Sequence, residues 1–163
     1  MIHVQGIFPH GRRGLFLLLL VAGLMLLAGC AKPEKPPLKL NLEIAASGDL
    51  NPGPDGRPLS VVLRLYQLKQ PGSFMGADFY SLFDKEAAVL GGDLVTREEM
   101  TLRPGQVLHL QRTQEPAASY LGILVAYRAL ERSHWRAGLM LQPGVDNRVR
   151  VQVTADRVSA QAQ

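Results

Sequence analysis

The chain has 163 residues, with 18 Lys and Arg against 14 Asp and Glu, a formal net charge of +4 and one cysteine. That length allows one domain with a sizeable hydrophobic core. The basic residues form no block of the kind that marks a nucleic-acid binder, and a lone cysteine cannot close an intrachain disulfide, so stability must come from core packing.

Met1 to Gly29 reads as a secretory signal. Arg12 and Arg13 precede Gly14 to Ala28, a run with no charge that ends in small residues. The run is shorter than the roughly 20 apolar residues a membrane-crossing helix needs. Its last stretch, Leu27-Ala28-Gly29-Cys30, resembles the bacterial lipoprotein box. The resemblance implies cleavage before Cys30 and acylation of its sulfur and its new amino group. Ala31 follows, not the Asp that retains such proteins at the inner membrane of enteric bacteria, which implies lipid anchoring at the periplasmic face of the outer membrane. Half of the positive excess leaves with the signal, because the net charge without Arg12 and Arg13 is +2. Residues 30–37, with three prolines and no apolar period, form the lipidated N-terminus and an extended spacer.

Leu38 to Ile44 alternates strictly. Leu38, Leu40, Leu42 and Ile44 face one way and Lys39, Asn41 and Glu43 the other, as in a half-buried strand. Leu59 to Leu68 is a second strand, with Leu59, Val61, Leu63 and Leu65 on one face. Between them, Ser47 to Pro58 contains Gly48, Gly53, Gly56, Pro52, Pro54 and Pro58, which forbid regular structure, and Asp55-Gly56 signals a turn. A hairpin closes with about two to five residues, so this loop exceeds what connection requires. A plain surface loop and a binding loop both fit it.

After Pro71-Gly72-Ser73 the apolar period changes. Phe79, Leu82, Phe83 and Leu90 fall on one helical stripe ended by Gly91-Gly92, which predicts a helix over Ala77 to Val89 packed against a sheet edge, within an insertion spanning about 74–90. Leu94 to Leu102 and Val107 to Gln111 are strands joined by the turn Arg103-Pro104-Gly105-Gln106. Tyr120 to Tyr127 is apolar almost throughout, as a central strand covered on both faces should be. Trp135 to Leu141 follows, and then Val149, Val151 and Val153 alternate with Arg148, Arg150 and Gln152. From Ala155 the chain is expected to fray, leaving 156–163 as a flexible tail. Seven short strands and one inserted helix predict an all-β fold, a two-sheet β-sandwich over residues 38–155.

The motifs of enzyme chemistry are missing. His109 and His134 stand on separate elements with no Cys or carboxylate at metal-ligand spacing. There is no nucleophile elbow, phosphate loop or dinucleotide fingerprint. Asp49 and Asp55 share a loop, but as solvated turn residues rather than an acid/base pair. Trp135 reads as a sandwich-core residue before a stacking platform. No cofactor, metal or catalytic residue is expected.

Several stretches together resemble the outer-membrane lipoproteins of type VI secretion systems, the TssJ (SciN) family. They are Asn51 with Gly56-Arg57-Pro58, Val61 to Leu68, Phe74, Ala77-Asp78-Phe79, Leu82, Leu90 to Leu94, Leu102 to Gly105, Tyr120-Leu121-Gly122, Ala126-Tyr127-Arg128 and Trp135-Arg136. Pro52-Gly53-Pro54 departs from any fixed pattern of that family. The resemblance implies a transthyretin-like β-sandwich with a small helical insertion. It also implies a partner, the periplasmic C-terminal domain of TssM, bound through the loop between the first two strands.

In this chain that loop supplies Asp49, Leu50, Asn51, Asp55 and Arg57 as candidate partner-binding residues. Leu50 is its sizeable apolar side chain, and Arg57 can donate a bidentate pair to a carboxylate. Asn51, Asp49 and Asp55 either shape the turn or touch the partner. The competing expectations are a periplasmic ligand-binding or inhibitor lipoprotein, and a cell-wall hydrolase, for which no acid/base constellation is visible.

Overall fold

The computed structural model describes residues 36–163. The signal segment, Cys30 and most of the spacer therefore lie outside the described residues. The rest is a sandwich of two four-stranded sheets, one ordered β4-β1-β7-β8 and the other β3-β2-β5-β6. The strands are β1 (Lys39–Ala46), β2 (Val61–Leu68), β3 (Leu94–Leu102), β4 (Val107–Thr113), β5 (Tyr120–Ala126), β6 (Arg136–Met140), β7 (Asn147–Val153) and β8 (Val158–Ala162).

Alternation sets the core. Leu40, Leu42, Ile44 and Ala46 of β1 and Val149, Val151 and Val153 of β7 point inward and are buried. They meet Leu63 and Leu65 of β2 and Leu121, Ile123 and Val125 of β5 in one continuous cluster. Each such aliphatic side chain contributes about 1.5–3 kcal/mol by leaving water.

The second sheet is covered on its other face as well. Tyr66, Leu68, Tyr120 and Leu124 point away from the first sheet and are roofed by Phe74, Leu82 and Leu90 of the insertion. The apolar run of β5 thus has the expected cause. The insertion is not one helix but three short ones, α1 (Gly72–Gly76), α2 (Phe79–Asp84) and α3 (Glu86–Leu90), then a 3-10 turn at Gly91–Asp93. Asp78 restarts the chain as an N-cap, its Oδ1 accepting from the Ser81 N–H at 3.0 Å, and Lys85 leaves helical geometry at φ −132°. The roof lies on the sheet's face rather than on its edge. Gly122 makes this possible, since a Cβ there would stand 3.0 Å from the Phe74 ring.

Arg64 locks the roof down. It is nearly buried, donates to Glu99 at 2.7 Å and to the Phe83 carbonyl at 2.7 Å, and lies 3.9 Å above the Phe83 ring. Tyr66 donates to Glu86 at 2.9 Å, and burial pushes its pKa up to about 12.

The expected fraying tail is instead an eighth strand. Val158–Ala162 pairs antiparallel with β7 in the register Val153↔Val158 to Val149↔Ala162, and Val158 is buried. The sandwich therefore extends past residue 155. Only Val158 among the last six residues is strongly apolar, so the strand shows no alternation to read. Its stability comes from the β7 ladder.

One clamp closes the side of the sandwich where β3 and β4, on different sheets, run along its edge. Arg112 donates through Nε to Glu98 at 2.7 Å, with a second bond from its terminal nitrogen. That bonding holds the Glu98 carboxyl below its ordinary value of 4.5. A carboxylate with a depressed folded pKa adds stability above its unfolded pKa and loses it as pH falls through the folded value. Wild-type protein should accordingly lose melting temperature below pH 4.5, and Glu98→Gln should lose less over the same range. Equal acid losses in thermal melts of the two would contradict the clamp.

Candidate functional site

β1 receives the chain at Lys39 and releases it at Ala46 into the β1–β2 loop, residues 47–60. Eight strand residues at about 3.3 Å each span about 26 Å, so the loop emerges at the end of the sandwich opposite the one where β1 begins. The β3–β4 turn, the β5–β6 loop and the β7–β8 turn share that end.

The loop is braced against all three. The Ser47 carbonyl accepts from Gly105 N–H at 3.0 Å, and Asn51 N–H donates to the Ala155 carbonyl at 3.1 Å. Asn51 is the centre of the bracing. Its backbone is left-handed, at φ 47°, a conformation asparagine adopts more readily than most residues. Its side chain is nearly buried and bonded in both directions. Nδ2 donates to the Ser60 carbonyl at 3.2 Å, and Oδ1 accepts from Arg128 N–H at 2.8 Å. Arg128 answers with Nε to the Pro52 carbonyl at 3.1 Å.

Beyond this clamp, Leu59 N–H donates to the Leu50 carbonyl at 3.0 Å and pinches the loop's neck. Gly53 N–H to the Arg57 carbonyl at 2.8 Å then closes a small tip, where Gly56 sits at φ 76°. Asp55 accepts from the Arg57 N–H at 3.2 Å and pairs with its side chain at 3.4 Å. Arg57 is 85% exposed, so this pair contributes little and yields readily to another carboxylate.

The candidate residues therefore divide. Asp49, Asp55 and Arg57 are exposed. Leu50, expected at the contact surface, is fully buried beneath the loop as part of the inner core. Leu59, expected as the first inward residue of the second strand, is 40% exposed, because β2 begins at Val61. The two leucines have exchanged roles, and Leu59 is the apolar group the loop presents. Strict alternation through Leu59, Val61 and Leu63 hides this. The available signal is Pro58, which cannot join a ladder.

Beside the clamp lies a crevice of about 240 Å³ between the β1–β2 and β5–β6 loops, lined in part by Tyr127 and Asp156. The Tyr127 hydroxyl has no hydrogen-bond partner among the described residues. Burial, then the nearby Asp156 charge, pushes its pKa well up, so at neutral pH it is a proton donor. His109 and His134 stand exposed and apart, and the described residues contain no group of three metal-ligating side chains. Trp135 is half-buried, edge-on to Phe79 at 5.3 Å, with the Arg136 guanidinium 4.8 Å from its ring.

The family model for "Type VI secretion lipoprotein, VasD, EvfM, TssJ" matches residues 38–156. The T6SS lipoprotein TssJ1 from Pseudomonas aeruginosa is 34% identical over 78% of this chain and 98% of its own, with a TM-score of 0.75. Lip of Serratia marcescens, a membrane bound component of the Type VI Secretion System, shares the fold at 24% identity and TM-score 0.71, over 78% of this chain and 99% of that one. A chain in the structure of the T6SS protein TssM C-terminal domain (869–1107) from EAEC is 28% identical at TM-score 0.63, over 76% of this chain and 97% of that one. Among curated proteins, none matches the chain.

Asn51→Ala should cost about 1–3 kcal/mol, since it removes two side-chain bonds and leaves Arg128 N–H unpaired. Asn51→Gly should recover the backbone part and not the rest. Amide hydrogen exchange at Arg128 should quicken in both variants, and unchanged exchange would contradict the clamp.

Proposed function

We propose that this chain, which belongs to the TssJ family of type VI secretion lipoproteins, ties a type VI secretion membrane complex to the outer membrane. Acyl chains on Cys30 hold one end, residues 31–37 act as the spacer, and the β1–β2 loop binds the periplasmic C-terminal domain of TssM. The observation that carries this reading is the braced loop at the end of β1 where the chain leaves the strand. A tether must transmit load between its two ends, and a loop held at Ser47, Asn51 and Pro52 loses little entropy on docking.

Two further facts support it. A chain 28% identical to this one is found in the structure of the T6SS protein TssM C-terminal domain (869–1107) from EAEC. In this protein the space between the sheets is packed with aliphatic side chains, which removes the cavity a carrier of small ligands would use. On this reading the function is binding rather than catalysis.

The lipid end follows general membrane energetics. One acyl chain anchors only marginally, and two or three anchor stably. Contact would fall on the exposed tip, with Arg57 and Asp55 on it, Leu59 at the neck and Asp49 at the margin. Leu50 and Asn51 hold the tip in place.

Replacing only Pro54 to Arg57 with a Gly-Ser turn removes no core residue and no strand pairing. That variant of residues 37–163 should melt like the wild type and lose calorimetric binding to the TssM periplasmic domain. Undiminished affinity would move the interface elsewhere. In cells, Cys30→Ser should abolish labelling by a fatty acid, and equal labelling would contradict the anchor.

A further inference from the structure

The crevice beside the loop has chemistry of its own. Its volume of about 240 Å³ exceeds the roughly 30 Å³ a single water occupies, so it admits a side chain. Tyr127 lines it, is only 6% exposed, and carries the one buried side-chain polar atom without a partner among the described residues. A buried donor left unpaired is costly, and such groups call for a cause.

Two guanidinium groups line the same crevice. Arg128 spends its Nε on the Pro52 carbonyl, while the side chain of Arg132 makes no hydrogen bond or ion pair among the described residues. Asp156 is the one carboxylate of the lining. The lining thus carries three donor side chains and one carboxylate. The crevice is continuous with the loop, since Asn51 and Pro52 belong to both.

We propose that this crevice seats an acidic side chain of the partner, its carboxylate accepting from the Tyr127 hydroxyl and from Arg128 and Arg132. The inference rests on the partner assignment above, because the crevice and the loop tip share one end of the sandwich. The interface then has two parts. The exposed tip makes first contact, and the crevice fixes orientation by holding one carboxylate against three donors.

The test uses residues 37–163, a self-contained unit whose solved relatives are matched over 97–99% of their own chains. The probe is the TssM periplasmic domain, followed by calorimetry and thermal melts. Tyr127→Phe removes only the hydroxyl. It should melt no lower than wild type and bind about tenfold more weakly. Arg132→Ala should weaken binding similarly, and the double variant should lose less than the product of the two, because both act on one ligand group. Asp156→Asn should tighten binding.

Wild-type affinity in Tyr127→Phe and Arg132→Ala, with binding still lost in the loop-tip variant, would overturn the crevice and leave the partner assignment standing. Weaker binding in Asp156→Asn would mean that the crevice takes a basic group, which also overturns the proposal. A lower melting temperature in Tyr127→Phe would show that its hydroxyl is already partnered within the fold, with the same consequence. No binding by the wild type would instead sink the partner assignment itself.

Discussion

β1 is hydrogen-bonded along both of its edges, antiparallel to β4 from Lys39↔Thr113 to Ala45↔Val107 and parallel to β7 from Leu40↔Asn147 to Ala46↔Val153. A slip by one residue would turn Leu40, Leu42 and Ile44 to solvent and break both ladders at once. The strand is therefore a stiff beam. It receives the chain at one end and releases it into the β1–β2 loop at the other, and the remaining structure keeps those two ends in register.

Buried amides finish both ends where strands cannot. At the end where β1 begins, Asn147 donates to Gln114 at 2.7 Å and to the Gln142 carbonyl at 2.9 Å, while Gln67 reaches across to the Thr113 carbonyl at 2.9 Å. At the loop end Asn51 does the same work. An amide carries donor and acceptor together, so one side chain can tie two irregular segments without burying a charge. The helical roof is secured differently, by Arg64 and its acidic partners, a network that a single substitution would leave with uncompensated charge.

Much of this was legible in the sequence. Period-two alternation located β1, β2 and β7, the apolar run located β5, and the excess length of residues 47–58 pointed to the loop. The seven strand patterns pointed to the sandwich and the helical stripe to the insertion, and the family resemblance implied the same. The errors have physical causes. Alternation continues through Leu59 although the ladder starts at Val61, so the pattern places Leu59 inside and Leu50 outside, the reverse of the structure. One helical stripe spans two helices because Phe79, Leu82, Phe83 and Leu90 share a roof and not an axis. β8 owes its existence to a neighbouring ladder, which no local pattern records. Tyr127 looked like the end of a strand, since only the packing reveals a hydroxyl without a partner.

The central claim is directional: the proposed partner is held at the end of the sandwich where β1 releases the chain, not at the end where it receives it. A photo-crosslinking residue placed in cells at Pro54, on the loop tip, or at Val145, exposed beside the start of β7 at the opposite end, tests it directly. The account predicts a crosslink to TssM from Pro54 and none from Val145. A crosslink from Val145 with none from Pro54 would contradict it.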